Sequence, residues 1–171
     1  MSRFCTWCRK EVPVIQRSRK EEKSDEICEC CLEHLKVSAV ANQASIDDLP
    51  VPILVFELYA GTYIITTSAN KRACEVLGRD RQETVQHLVG NVFACVHACL
   101  PEGCGRSTHC SGCALRNVIV DTYQKCSPQY EVQATLKRSI DGQAVSSSLS
   151  LSTIKSGNMV ILRLDRIVAV N

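Results

Sequence analysis

Five cysteines lie close together near the middle of the chain, between residues 95 and 113. They are Cys95, Cys99, Cys104, Cys110 and Cys113, out of twelve cysteines in 171 residues. Thiolate sulfur is a soft ligand for zinc and for iron–sulfur clusters. The two residues between Cys110 and Cys113 let both sulfurs face one point. We predict that Cys95, Cys104, Cys110 and Cys113 ligate a metal, with Cys99 as a spare or substitute ligand.

The same segment contains residues that could bend its backbone or add a ligand. Gly103 and Gly105 flank Cys104 and can adopt backbone angles that other residues resist. His97 and His109 border the cysteines, and either could replace a thiolate. The spacing leaves three chemistries open: a structural zinc, a [4Fe-4S] cluster that senses redox state or oxygen, and a reversible disulfide between thiols of this segment.

A second group of cysteines lies at the start of the chain. Two pairs, each with two intervening residues, are separated by about twenty residues; the predicted ligands are Cys5, Cys8, Cys28 and Cys31, with Cys30 left over. The segment between the pairs is polar and too short to bury a core, so a metal must stabilise its fold. The sequence therefore predicts a zinc-binding module over residues 1–36.

The second pair belongs to a recognisable pattern, Ser-x2-Ile-Cys-x2-Cys-Leu-x2-Leu, from Ser24 to Leu35. It resembles the small zinc-ribbon or treble-clef modules that are attached to bacterial signalling proteins. Zinc ribbons also bind nucleic acid, but residues 1–36 carry eight basic and seven acidic side chains. A net charge of +1 is weak for a phosphate-binding surface, so we expect no nucleic-acid partner.

The remaining chain predicts a linker helix over residues 37–48 and one domain over residues 49–171. Apolar alternation and turn residues predict five strands, over residues 53–58, 62–67, 129–137, 144–154 and 159–167. Helical spacing predicts helices over residues 69–78, with Ser68 as the cap, 79–93 and 114–125. Two strands, several short helices and three strands make an α+β fold with a five-stranded antiparallel sheet covered by short helices.

The domain resembles the PAS family of bacterial sensory proteins. The resemblance covers residues 46–170 and depends on the strand-forming run LPVPILVFEL and on Asn70, Ala73, Cys74 and Leu77 in SANKRACEVLG. The cysteine-rich insertion, residues 94–114, resembles that of a PAS subgroup with Cys, Gly-Cys-Gly and Cys-x2-Cys in this region. These elements correspond here to Cys95, Gly103-Cys104-Gly105, and Cys110 with Cys113.

The resemblance implies a metal-binding signal-transduction module that senses redox state, oxygen or a small ligand and passes the signal on through protein–protein contacts. It implies a homodimer and a separate signalling partner, such as a kinase or regulator. The alternative is a transcription-associated zinc-ribbon protein that binds nucleic acid, in which the PAS-like part serves dimerisation and all zinc is structural.

Composition and missing motifs narrow the function further. The net charge is +2, and no apolar run is long enough to span a bilayer. The start MSRFCTWCRK has no apolar signal-peptide core, so we expect a cytoplasmic protein. No phosphate-binding loop or nucleophile motif occurs, so we expect no enzyme activity. Outside the two groups, we expect Cys74 to act as a small buried hydrophobe and Cys126 to be a free thiol.

Overall fold

The computed structural model describes residues 3–4, 11–12 and 46–170. In the first two ranges, strand β1 (Arg3–Phe4) pairs antiparallel with β2 (Glu11–Val12), so that Arg3 lies opposite Val12. The predicted ligands Cys5, Cys8, Cys28 and Cys31 lie outside the described residues, as do Cys30 and the linker up to residue 45. The zinc-binding module therefore stays a prediction. None of the helices in the described ranges is long and apolar enough to cross a membrane.

Residues 53–170 contain a five-stranded antiparallel sheet, as predicted. Its strands are β3 (Ile53–Tyr59), β4 (Tyr63–Ala69), β5 (Gln129–Ile140), β6 (Gln143–Ser156) and β7 (Met159–Val170). They lie side by side in the order β4-β3-β7-β6-β5, which leaves β4 and β5 as the two edges. The last three strands are longer than predicted, because ladder pairing between β5, β6 and β7 continues through polar residues beyond the predicted ends, such as Ser139, Gln143 and Ser156.

Three α-helices and two 3₁₀ turns connect β4 to β5. The α-helices are α1 (Lys71–Leu77), α2 (Val89–Val92) and α3 (Ala114–Lys125), and the 3₁₀ turns are η1 (Val96–Cys99) and η2 (Thr108–Cys110). The bounds of α3 are those predicted from its apolar stripe, of which Leu115, Val118 and Ile119 are buried. This combination of one antiparallel sheet and a few short helices has the architecture that the PAS resemblance implies.

The helix predicted over residues 79–93 is wrong for most of its length. Only α2 is helical, because the preceding chain pairs with the edge strand β4 instead. The Gln86 N–H donates to Thr66 O at 2.7 Å, and the Thr66 N–H donates to His87 O at 2.9 Å. Leu88 then forms a bridge with Ile65. Gln86 has a φ of 65°, which is incompatible with a continuous right-handed helix.

The predicted cap at Ser68 is also wrong, because β4 continues through Ala69 and Asn70 caps α1. The Asn70 side-chain oxygen accepts from the N–H of Ala73 and of Ile53, both at 2.9 Å. Its amide nitrogen donates to Ile46 O at 3.1 Å and to Val51 O at 2.7 Å. One fully buried side chain thus joins the first turn of α1, the start of β3 and the chain before it.

The core lies between the helices and one face of the sheet. Its strand residues include Leu54, Phe56, Leu149, Leu151 and Leu162, and its helical residues are Ala73, Leu77, Val89, Val92, Leu115 and Ile119. Cys95, Cys104 and Cys113 pack against this core from one side. The cysteine-rich segment is therefore supported by the apolar interior of the domain.

Candidate metal centre

The cysteine-rich segment encloses a cavity of about 300 Å³ against the core. Four cysteines line it, and they are the four predicted metal ligands, Cys95, Cys104, Cys110 and Cys113. The apolar part of the wall includes Val89 of α2, Leu115 of α3 and Leu136 of β5, and His97 and His109 are also in the lining. Cys99, the predicted spare, is exposed at the end of η1 and does not line the cavity.

One end of the segment is attached to the edge strand β5. Cys95 forms a β-bridge with Arg138, and the Ser139 N–H donates to Ala94 O at 2.7 Å. The Arg138 side chain is buried, and its Nε donates to Phe93 O at 2.9 Å. Burial lowers the pKa of the Arg138 guanidinium from its usual value, and Arg79 lowers it further. Cys95 is thereby positioned by the sheet.

The other end of the segment leads directly into α3. Cys113 is the N-cap residue of α3, and its carbonyl accepts from the Asn117 N–H at 2.9 Å. Arg116, one turn into the helix, donates from Nη1 to Thr62 O at 2.5 Å and from Nη2 to Gly61 O at 3.0 Å. The first turn of α3 is therefore joined to the β3–β4 hairpin as well as to the cavity.

The glycines around Cys104 bend the segment as predicted. Gly103 and Gly105 have φ values of 73° and 93°, in the region that side chains resist. A Cβ on Gly105 would lie 2.8 Å from Thr62 O, so the backbone here also approaches the hairpin closely. This bend turns Cys104 and Cys110 toward the same cavity.

Backbone N–H groups face three of the four cavity sulfurs. The Gly105 N–H donates to Cys110 Sγ at 3.1 Å. The backbone of His97 and of Ala98 lowers the pKa of Cys95, and the backbone of Gly90 lowers that of Cys104. Such bonds favour the thiolate form of a cysteine, and hydrogen bonds to sulfur also set the reduction potential of iron–sulfur clusters.

Without a cation, burial nevertheless favours the protonated form of Cys104 and Cys95. Burial is the largest cause that raises the pKa of Cys104, to about 11, and the charges of Cys110, Cys95 and Cys113 raise it further. Burial also raises the pKa of Cys95, again with contributions from Cys113 and Cys110. Because four thiolates would repel one another here, a metal cation is the natural partner that would compensate their charge.

Two histidines stack on each other beside the thiols. The rings of His97 and His109 lie 3.9 Å apart between centroids, with 16° between their planes. Burial, His109 and Lys137 together lower the pKa of His97. Neutral imidazole is the form that binds metal, so either ring remains chemically able to replace a thiolate.

The four thiols surround a space rather than a point. Within residues 46–170, no group of three or more His, Cys, Asp or Glu side chains is already arranged to hold a single metal ion. The donor set nevertheless suits a soft metal, since it combines four thiols, backbone N–H groups aimed at sulfur and an apolar wall. The residues present therefore fit a thiolate-bound metal group in chemical type.

The chain is similar at low sequence identity to several solved structures. The chain is similar to the photoactive yellow protein domain of the sensor histidine kinase Ppr from Rhodospirillum centenum (11% identity, 78% of this chain and 99% of that chain, TM-score 0.45). It is similar to a LOV protein of Rhodobacter sphaeroides (11%, 81% and 67%, TM-score 0.46). It is also similar to the PAS domain of an HTR-like protein from Haloarcula marismortui (16%, 80% and 99%, TM-score 0.38). No protein-family model and no curated protein matches the chain.

The two remaining described cysteines lie away from the cavity. Cys74 is half-buried on α1; burial raises the pKa of its thiol, and a hydrogen bond with Thr84 lowers it. Cys126 is exposed and unpaired by disulfide, as predicted, at the left-handed C-cap of α3. Its Sγ lies 3.4 Å from Lys155 Nζ.

Sequence reasoning missed the residues that hold the segment in place. Arg116, Arg138 and Gly90 belong to the site but lie outside the cysteine pattern. A signal existed for Arg138, which continues the alternation of the buried Ala134 and Leu136 along β5 and is therefore expected on the core side. Arg116 acts through contacts with residues more than fifty positions earlier, and Gly90 acts through the folding of the loop back onto α2; no local pattern encodes either.

Proposed function

We propose that residues 49–171 are a PAS-type sensory module whose cofactor is a metal group held by Cys95, Cys104, Cys110 and Cys113. The observation that carries this proposal is that all four lie in the wall of one cavity, although they come from separate local elements. Cys95 precedes η1, Cys104 lies at the glycine bend, Cys110 ends η2 and Cys113 caps α3. If the four cysteines served only as apolar residues, they would not need to line the same cavity.

The size of the cavity favours a [4Fe-4S] cluster over zinc as the bound group. A tetrahedral zinc site with Zn–S distances of about 2.3 Å draws its sulfurs to within roughly 4 Å of one another and leaves no space between them. Here the four thiols share the wall of a cavity of about 300 Å³ with other residues, and within residues 46–170 no three of the His, Cys, Asp and Glu side chains are grouped to hold one ion. A cluster, which contains its own iron and sulfide atoms, occupies such a space and uses four thiolate ligands.

The surrounding contacts suggest how the state of the site reaches the rest of the domain. Cys95 and Cys113 are the two ends of the segment, one bridged to β5 and the other capping α3. A change in how the thiols are held would alter the start of α3 and the attachment to β5. We propose that this change, in response to redox state, oxygen or a small ligand, modulates contacts with a separate signalling protein.

Metal analysis and absorption spectra of anaerobically purified full-length protein test the proposal. We expect iron and sulfide with broad visible absorption that is lost on exposure to air. A colourless protein with two zinc ions per chain, one for each cysteine group, would instead make both sites structural. Protein that contains neither metal would contradict metal binding.

The β1–β2 pair supports a second, structural zinc at Cys5, Cys8, Cys28 and Cys31. Paired strands flank the segment that contains Cys5 and Cys8, which is the arrangement expected on either side of a zinc knuckle. Substituting Cys8 with serine should remove one zinc per chain and leave the visible absorption of the cavity site unchanged. Loss of both together would contradict independent sites.

Assembly and partner class form the last part of the proposal. We propose a homodimer that acts on a separate kinase or regulator, without enzyme activity of its own. Light scattering at micromolar concentration should give the dimer mass, and a monomer would contradict it. Duplex DNA should show no salt-sensitive binding; binding that weakens steeply with salt would favour the nucleic-acid alternative.

A further inference from the structure

We infer that Gly90, five residues before the first cysteine of the pattern, is a positioning residue that sets where two of the four cavity sulfurs lie. This inference rests on the proposed function in that it gives the sulfurs a ligand role. The geometry behind it belongs to the protein without any metal. Gly90 is buried in α2 and is part of the cavity wall.

Gly90 contacts both Cys95 and Cys104 through its backbone. Its carbonyl accepts from the Cys95 N–H at 2.7 Å. Its own backbone amide lies beside the Cys104 sulfur and lowers the pKa of that thiol. The peptide unit after the Gly90 Cα therefore orients the main chain of the first ligand, and the peptide unit before it faces the sulfur of the second.

The absent side chain at Gly90 is as important as its backbone. A Cβ at this position would lie 2.6 Å from Cys104 Sγ, 2.9 Å from Cys104 Cβ and 3.3 Å from Ala98 Cβ. Contacts below 3.0 Å require something to move. Because the φ of Gly90 is not positive, the backbone itself would accept alanine, and the main conflict is with Cys104, with a smaller one at Ala98.

Helix α2 cannot easily move away from Cys104 to relieve the close contacts of a Cβ at position 90. Val89 and Val92 on either side of Gly90 are buried in the core. Leu88, the N-cap residue, is bridged to Ile65 of β4. Cys104 lies instead in an irregular loop between Gly103 and Gly105, so it is the side that must move. A methyl group at position 90 would therefore displace the Cys104 sulfur from the cavity.

The test compares Gly90→Ala with Gly112→Ala in the full chain. Gly112 also lines the cavity and has no positive φ, but a Cβ there meets nothing within 4 Å. We first remove any metal with a chelator and measure the alkylation rate of each thiol by peptide mass spectrometry. We expect the Cys104 rate to rise about tenfold in Gly90→Ala, the scale of local overpacking, and to stay unchanged in Gly112→Ala.

The alkylation rate of half-buried Cys74 on α1 is the internal reference, because it would rise if the substitution destabilised the whole domain. A rise at Cys104 without a rise at Cys74 supports positioning. Equal rises at both thiols, or no rise at either, would overturn it. Gly90→Ala in a Cys104→Gly background removes both close contacts, so the thermal destabilisation caused by Gly90→Ala should largely disappear there. Persistence of the full effect would also overturn the inference.

Metal content provides a readout that separates this inference from the proposed function. If wild type binds metal, Gly90→Ala should bind less of it and Gly112→Ala the same amount. If wild type contains no metal, the proposed function fails, and the alkylation comparison still decides the role of Gly90. Equal metal content in wild type and Gly90→Ala would contradict the role of Gly90 in ligand placement.

Discussion

The Gly105 N–H donates to the sulfur of Cys110 at 3.1 Å, across the bend that brings this thiol into the cavity. The backbone of His97 and Ala98 lowers the pKa of Cys95, and that of Gly90 lowers the pKa of Cys104, so backbone groups face three of the cavity sulfurs. Thiols that served only as apolar filling would gain little from such donors. The domain has instead a pocket whose polar groups suit negative sulfur.

The reactivity of individual thiols should differ between the cavity cysteines and the exposed cysteines. In native, freshly purified protein, exposed Cys99 and Cys126 should react rapidly with a labelling reagent, whereas the four cavity cysteines should react slowly. Addition of a strong chelator should speed the reaction of the cavity group and leave Cys99 and Cys126 unchanged. Equal reaction of all thiols before chelation would contradict metal protection.

Asn70 should be among the most sensitive polar residues of the domain. Its four hydrogen bonds are to backbone groups and it is fully buried. Asn70→Ala should lower the free energy of unfolding by about 3–5 kcal/mol, through loss of the cap and unsatisfied buried groups. Urea denaturation measures this.

The Asn70→Asp variant tests whether Asn70 acts only as a helix cap or also as a donor to the chain before β3. Aspartate is as good a cap as asparagine at an ordinary helix terminus. Here it would face the carbonyls of Ile46 and Val51 without a donor, so it should destabilise strongly as well. Stability equal to wild type would contradict the observed role. Asn117→Ala, at an exposed amide of α3, is the matched control and should cost little.

Arg116 should contribute more to stability than an ordinary surface arginine. Its two hydrogen bonds to Thr62 and Gly61 join α3 to the β3–β4 hairpin. Arg116→Gln should cost about 1–2 kcal/mol, because charged donors to backbone carbonyls are stronger than average. Arg72→Gln, which breaks an exposed pair with Glu75, should cost roughly 0.5 kcal/mol or less. Equal effects in thermal denaturation would contradict the difference.

Arg138 should be required for attachment of the segment to β5. Arg138→Met keeps much of the side-chain volume but leaves the Phe93 carbonyl without its donor. We expect a loss of about 1–3 kcal/mol in the free energy of unfolding and faster amide hydrogen exchange at Ser139, whose N–H donates to Ala94. Unchanged exchange at Ser139 would show that the strand pairing does not depend on Arg138.

The extent to which the sequence predicted this structure depends on the range of the interactions. Helix α3 was predicted at both ends because its apolar stripe is periodic and a cysteine motif stops before it. The structure of residues 79–93 was not predicted, because this segment pairs with β4, more than fifteen residues earlier. The spacing of its own apolar residues does not indicate that pairing. The Ser68 cap failed for a similar reason: Asn70 gains bonds to Ile46 and Val51 that local capping rules do not consider.

The candidate site divides in the same way. Cysteine spacing predicted four residues that line one cavity, because a shared ligand would impose a local pattern on the chain. The contacts that hold those cysteines come from Gly90, Arg116 and Arg138, whose types are unremarkable in sequence. Their importance depends on tertiary proximity, which only the fold provides.

The metal content of single-cysteine variants, purified without oxygen as full chains, tests the central claim most directly. Serine at Cys95, Cys104, Cys110 or Cys113 should each abolish or sharply reduce the metal of the cavity site. Serine at Cys99, from the same segment but outside the cavity, should leave it unchanged. Full metal content in all four cavity variants, or an equal loss with Cys99→Ser, would contradict a metal group held by these four thiols.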